Sequence, residues 1–220
     1  MGPGRMLITA GPTHEPIDAV RYIANRSSGR LGVALADEAA ARGWGVTLLL
    51  GPTSLTPDDS RVEVVRFRTT ADLERLLGER FAACDVLVMA AAVADYRPKL
   101  GAVAGTKISR EDSGLTLELE ATPDLLAACG KRRRAGQMLV GFALEPAERL
   151  MGSAGAKLKR KGVDLIVANP LETMDSQEIE ATVLGVDGVV ARTSGRIAKN
   201  AFAGWLLDVL AGAASRGGGR

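Results

Sequence analysis

Arg5-Met6-Leu7-Ile8-Thr9-Ala10 runs directly into Gly11–Gly32, GPTHEPIDAVRYIANRSSGRLG. The first six residues form a short apolar run stopped by Gly11-Pro12, the signature of a buried strand. A long polar stretch, Gly11–Arg30, follows. Loops of that length inside a compact domain are uncommon and usually functional. The chain then becomes Ala-rich with helical spacing over Leu31–Arg42, and Gly43 serves as the C-cap. A buried strand, a functional loop and a helix in this order are the opening of an α/β unit.

Working outward, Val46–Leu50 is a second strand ended by Gly51-Pro52, and Val62–Phe67 a third. Ala71–Phe81 suits a helix and Asp85–Ala91 another apolar strand. The resulting β-α-β-β-α-β order predicts a three-layer, Rossmann-like α/β fold with a mostly parallel central sheet. Tyr96–Ser113 is polar and reads as a flap rather than a linker between domains. Leu115–Glu120 alternates with period two, as a half-exposed strand does. Thr122 and Pro123 open a helix as N-cap and first residue. Met138–Ala143 and Asp164–Ala168 are apolar strands on either side of a helix over Pro146–Lys161. Asp187-Gly188 between Ala181–Val186 and Val189–Arg192 predicts a C-terminal β-hairpin. Lys199–Leu210 is a closing helix, and the Gly-rich tail, about 214–220, is expected to fray. No internal repeat appears, so residues 1–220 read as one domain with an inserted flap at about 96–113.

The chain has 220 residues, 46% hydrophobic and 25% charged, which excludes a largely disordered protein. Aromatics at 4% disfavour a stacking platform for single-stranded nucleic acid, and a net charge of +2 is too small for generic polyanion binding. No nucleic-acid partner is therefore expected. No apolar run approaches the ~20 residues that cross a bilayer, and the start carries no signal-peptide core, so no membrane partner is expected either. Cys84 and Cys129 lie in apolar surroundings, read as core and fit a reducing cytoplasm. One His and two Cys cannot build a usual zinc site.

Ligands of open α/β sheets sit beyond the carboxyl ends of the strands, so the chemistry belongs after Ala10, Ala91, Ala143 and Ala168. Asn25-Arg26-Ser27-Ser28-Gly29 stands just before a helix, where free backbone N–H groups, the helix dipole and two hydroxyls favour an anion. Arg21, Arg26 and Arg30 add positive charge; in the plainer reading Ser28 is only an N-cap and the arginines are solvated. Neither a Gly-x-Gly-x-x-Gly fingerprint nor a Walker A pattern is present. Ala90–Pro98, AAAVADYRP, would let a flat ligand approach the backbone, with Asp95 placed for a metal or a ligand hydroxyl, or else it is tight packing and a turn. Lys107 is a lone lysine in a Gly-containing loop, a type more often solvated than catalytic. Lys157 and Lys161 share a helix face at spacing i,i+4. Their repulsion would be relieved by a polyphosphate, though a solvated basic face fits equally well. His14 reads as a loop residue, and Glu145 and Asp164 as structural.

Taken together, TAGPTHEPIDAVRYIANRSSGRLG, AAAVADYRP with the Lys107 loop, LVGFALE and KLKRKGVDLIVANP resemble phosphopantothenate–cysteine ligase, also called phosphopantothenoylcysteine synthetase. The resemblance runs in order from about Leu7 to Lys199. It is to the stand-alone synthetase, without the flavin-dependent decarboxylase half found fused to it in many bacteria, and implies no flavin. It implies a cytoplasmic, dimeric ligase of coenzyme A synthesis that takes 4′-phosphopantothenate, L-cysteine and a nucleoside triphosphate. CTP is expected before ATP, with magnesium. The carboxylate attacks the α-phosphate and releases pyrophosphate; cysteine then captures the acyl-nucleotide and releases the monophosphate.

Carried over by this resemblance, Asn25 handles the acyl-nucleotide and Lys107 helps to form it. Met89, Ala90, Ala91, Asp95, Pro123, Asp124, Leu125, Leu126 and Phe142 contact the nucleotide, and Lys157 and Lys161 its triphosphate. Arg21, Ser27, Ser28 and Gly29 face the phosphopantothenate or the reacting centre. Magnesium is expected to be held largely by the triphosphate, with Asp95 the candidate side chain. The family's flap usually carries further lysines, whereas Ser109 and Arg110 follow Lys107 here, and Pro146 stands where a polar residue is common. Two rivals are weaker. A nicotinamide-dependent reductase needs a charged residue at the end of the second strand, which Leu50-Gly51-Pro52 lacks. A catalytically silent nucleotide sensor would be expected to have lost Asn25 or Lys107. A related amide ligase with another amine acceptor stays open, because no cysteine-recognition motif can be read.

Overall fold

The structure, a computed structural model, describes residues 4–99, 106–110, 114–174 and 176–217. Strands β1 (Arg5–Ala10), β2 (His14–Pro16) and β3 (Tyr22–Ala24) precede helix α1 (Arg30–Ala41). Next come β4 (Gly45–Leu50), β5 (Glu63–Arg66), α2 (Thr70–Arg80), β6 (Val86–Met89), β7 (Tyr96–Pro98) and β8 (Leu119–Ala121). The second half holds α3 (Leu125–Arg132), β9 (Met138–Glu145), α4 (Leu150–Lys161), β10 (Leu165–Pro170) and β11 (Glu178–Ile179). It closes with β12 (Thr182–Gly185), β13 (Gly188–Arg192), β14 (Ile197–Ala198) and α5 (Lys199–Gly217).

Among the described residues the central sheet has eight strands in the order β13-β12-β10-β9-β6-β1-β4-β5. All of its pairings are parallel except those of β12 with β10 and with β13, the predicted hairpin. Alternate side chains point to opposite faces. Met6, Ile8, Leu48 and Val88 pack under α1 and α5, while Leu7, Leu49, Leu87 and Leu139 pack under α2, α3 and α4. Both faces are thus covered, which is why these strands read as continuous apolar runs. Cys84 and Cys129 are free and buried in this core. Phe202 of α5 is fully buried and packs on Trp205 at 5.2 Å. Phe202→Ala is expected to cost about 3–5 kcal/mol, seen as a lower urea midpoint, because the sheet cannot collapse into the void.

Several boundaries differ from the sequence reading. The polar stretch after β1 is not one open loop: β2 and β3 pair antiparallel within it, and His14, expected in a loop, stacks on Tyr22 at 3.8 Å. Glu15 anchors this hairpin, its buried carboxylate accepting from the Thr70 backbone N–H and hydroxyl at 2.7 Å each. Thr122 does not cap α3. Asp124 does, accepting from the Ala127 N–H at 3.1 Å, while the Thr122 hydroxyl donates to the Ala94 carbonyl at 2.5 Å. Helix α4 begins at Leu150, not Pro146, and α1 is capped by Arg42 rather than Gly43 at its end. The strand expected at Leu115–Glu120 shrinks to β8, which pairs with β7 at the root of the flap. Helix α5 runs on to Gly217 rather than fraying from 214. Flap residues 100–105 and 111–113, and tail residues 218–220, lie outside the described residues.

Candidate active site

From β1 the chain crosses through α1 to β4 on one side, and later returns through α2 to β6 on the other. The order reverses between β1 and β6, and at such a point the loops after two neighbouring strands diverge and leave a crevice. A cleft of about 880 Å³ opens there, at the carboxyl ends of β1, β6, β9 and β10.

One wall is the N-terminus of α1. Gly29 is its N-cap, at φ +75°, a left-handed backbone that glycine adopts without strain. No side chain caps the helix. The Ser27 and Ser28 hydroxyls accept only long bonds, 3.4 Å, from the N–H groups of Gly29 and Arg30. The plainer reading of Ser28 as an N-cap therefore fails, and the first turn keeps donors for an anion. Gly32 lets the helix sit on β1, since a Cβ there would lie 2.3 Å from the Ala10 Cβ. Asn25 is exposed on this wall, its amide donating to the Val93 carbonyl at 2.9 Å.

The floor is Met89–Ala91, held by Thr9, whose carbonyl accepts from the Ala90 N–H and whose hydroxyl accepts from the Ala91 N–H, each at 3.1 Å. Asp95 is exposed beyond it. Leu125 and Leu126 line the cleft, but their side chains are buried in the core, so only backbone is left to meet a ligand.

The opposite wall is α4. The Lys157 ammonium donates to the Phe142 carbonyl at 2.7 Å, and Lys161, mostly buried, pairs with Asp124 at 3.1 Å. Burial, and then the neighbouring Lys161 charge, lowers the pKa of Lys157 below the ordinary lysine value; Glu145, Asp95 and Asp124 push back. Two desolvated ammonium groups pinned by oxygen partners are poised for an anion, which would supply the charge compensation that water no longer gives.

The cleft therefore gathers Asn25, Ser27, Ser28, Gly29, Asp95, Phe142, Lys157 and Lys161 with the predicted floor and helix residues. Arg21 and Lys107 it does not gather. Arg21 is bound to Asp18 and to the Ile108 carbonyl at the far tip of the β2–β3 hairpin, and Lys107 lies beside it. The fold adds residues to which the sequence assigns no role in the site. Glu145, expected to be structural, lies on the cleft wall and accepts from Ser153 at 2.9 Å; Arg160, Asn169 and Lys199 line the cleft as well. Asn169 directly follows Ala168, where a strand-end signal was available; Lys199 had none. Asp164 is structural as expected, accepting from the Leu139 N–H at 2.8 Å and pairing with Arg133. Among the described residues no three His, Cys, Asp or Glu side chains gather to hold a metal, and no helix is long and apolar enough to cross a membrane.

Residues 2–213 match the family model described as the DNA/pantothenate metabolism flavoprotein C-terminal domain. The chain belongs to that family. A cysteine/cysteine sulfinic acid decarboxylase of an unknown prokaryotic organism is 46% identical over 168 residues, 76% of this chain and 46% of its own length. The coenzyme A biosynthesis bifunctional protein CoaBC of Mycobacterium tuberculosis is 42% identical over 196 residues, 84% of this chain and 46% of its own length. The crystal structure of the C-terminal domain of CoaBC superposes with a TM-score of 0.79 at 34% identity, covering 94% of this chain and 93% of that one. The chain thus spans about half the length of the curated relatives it matches. Its Rossmann-like architecture is that of the CoaBC domain.

Proposed function

We propose that the chain is a phosphopantothenate–cysteine ligase of coenzyme A biosynthesis, using CTP in preference to ATP. The observation that carries this reading is a cleft with an anion-binding feature at each end: the uncapped α1 N-terminus with Ser27, Ser28 and Gly29, and the buried Lys157–Lys161 pair. A substrate that carries its own phosphate and reacts with a triphosphate needs both. Membership of the pantothenate-linked family and likeness to the CoaBC domain support the same reading.

In this reading the triphosphate lies along Lys157 and Lys161, over the Met89–Ala91 floor and Pro123–Leu126, with Phe142 against the ribose or base. The phosphopantothenate carboxylate attacks the α-phosphorus, forming a C–O–P bond and expelling pyrophosphate. The cysteine nitrogen then attacks the acyl carbon, the C–O bond breaks, and the monophosphate leaves while the nitrogen loses a proton. Asn25 donates to the developing oxyanion without titrating, and Lys107 is the cation for the transferring phosphate. Asp95 is the carboxylate fit to hold magnesium alongside the phosphates, and the ion would neutralise triphosphate charge. No step uses a flavin. The protein acts in the cytoplasm as a homodimer; exposed Val20, Tyr22, Tyr96, Leu115 and Leu119, on and beside the β2–β3 and β7–β8 pairs, support an interface there.

Oxygen-18 in the phosphopantothenate carboxylate tests the route: one label is expected in the nucleoside monophosphate. Label in inorganic phosphate would mean attack at the γ-phosphorus and overturn the acyl-nucleotide.

Lys157 gives a pH signature. Its lowered pKa means that the charged, anion-binding form is lost at a lower pH than for an ordinary lysine, so the KM for nucleotide is expected to rise on the alkaline side. Lys157→Arg, which keeps its charge to about pH 12 and above, should flatten that limb; an unchanged limb would count against Lys157 as the titrating group.

A further inference from the structure

Asp18, at the turn between β2 and β3, carries no role in the reaction proposed above, yet its side chain is fully buried. Its Oδ1 accepts from the N–H groups of Val20 at 2.8 Å and Arg21 at 2.7 Å. Its Oδ2 accepts from both Nε and a terminal nitrogen of Arg21, and from the Ile108 N–H at 3.1 Å. Two more bonds tie the same turn to the same flap residues: the Ala19 N–H donates to the Thr106 carbonyl at 3.2 Å, and Arg21 to the Ile108 carbonyl at 2.8 Å. Lys107 is therefore the residue between two backbone anchors, both fastened to a turn whose centre is a buried charge.

A carboxylate that accepts five hydrogen bonds, two of them from a guanidinium, loses heavily if any geometry but this one is adopted. The same hairpin carries Asn25 immediately after β3. Both residues given roles in the two half-reactions thus hang from one hairpin, Asn25 at its base and Lys107 beside its tip. The arrangement also accounts for Arg21, which the fold diverts from the cleft to complete the clamp.

We infer that Asp18 is a positioning residue, which fixes flap residues Thr106 and Ile108 to the β2–β3 hairpin and thereby sets where Lys107 stands. The inference rests on the role proposed for Lys107, so its test has a readout that needs no substrate. In Asp18→Asn, amide hydrogen exchange at Ile108 and Ala19 is expected to quicken by about tenfold or more while Leu48 and Val140 in the core stay protected. In the same variant, pyrophosphate formation is expected to fall by about tenfold or more with the nucleotide KM little changed, because only the position of a transition-state cation has been disturbed. Asp18→Glu, which keeps the charge on a longer stem, should restore part of both. Unchanged exchange at Ile108 would overturn the inference, as would loss of core protection along with the flap, which would make Asp18 a residue of the fold. Faster exchange with undiminished pyrophosphate formation would overturn it too, and turnover of Lys107→Gln then tells whether the fault lies in the role of Lys107 itself.

Discussion

Asn25→Asp is expected to release pyrophosphate at close to the normal rate in a single turnover, yet to form the amide about a hundredfold more slowly, the scale of losing one oxyanion donor. The resting amide gives one N–H to the Val93 carbonyl, which leaves a second for the substrate. An aspartate keeps the size and loses both donors. It also sets a negative charge against the tetrahedral oxyanion that forms when cysteine attacks. Activation of the carboxylate, at the α-phosphorus, does not pass through that oxyanion. Acyl-nucleotide should therefore accumulate and be recovered by rapid acid quench and mass spectrometry. Normal amide formation in this variant would remove Asn25 from the second step.

Lys107→Gln should show the opposite pattern, with pyrophosphate release itself down by about a hundredfold or more. Charge develops on the phosphoryl oxygens during the first step, and a neutral amide cannot stabilise it as an ammonium does. Because the side chain lies outside the cleft wall in this structure, nucleotide affinity should change little, and the loss should appear in kcat rather than in KM. Pyrophosphate release at the normal rate would mean that another cation, such as Arg160 on the cleft wall, performs that task. The pair of variants separates the two half-reactions, so an exchange of the two phenotypes would reverse the roles.

The parts of this molecule visible in its sequence were those where local pattern and tertiary packing agree. RMLITA, GVTLLL and the strand before AAAVADYRP are apolar on both faces because helices cover both sides of the sheet, so their runs could be read without knowing the fold. The Asp187-Gly188 turn declares its hairpin through local backbone chemistry alone. Hairpin β2–β3 was hidden because its strands have three residues each, too short for any period, and are held by distant groups such as Thr70. The cap of α3 is not decided by local sequence, because Thr122 and Asp124 are both good capping residues, and what separates them is the carbonyl of Ala94, which takes the Thr122 hydroxyl. In the site, Lys157 and Lys161 could be paired from their spacing, but not the burial that tunes them, which depends on α4 lying against β9 and β10. Asp18 is illegible in the sequence for the same reason: Ile108 lies ninety residues away along the chain.

The central claim is best tested by mixing the protein with phosphopantothenate, cysteine and magnesium and following pyrophosphate and product with CTP or ATP in otherwise identical reactions. The account predicts CTP-dependent pyrophosphate release matched by an equal amount of phosphopantothenoylcysteine, with ATP the poorer substrate. Release with ATP alone would keep the ligase and contradict the base preference. No release with either nucleotide would contradict the ligase itself.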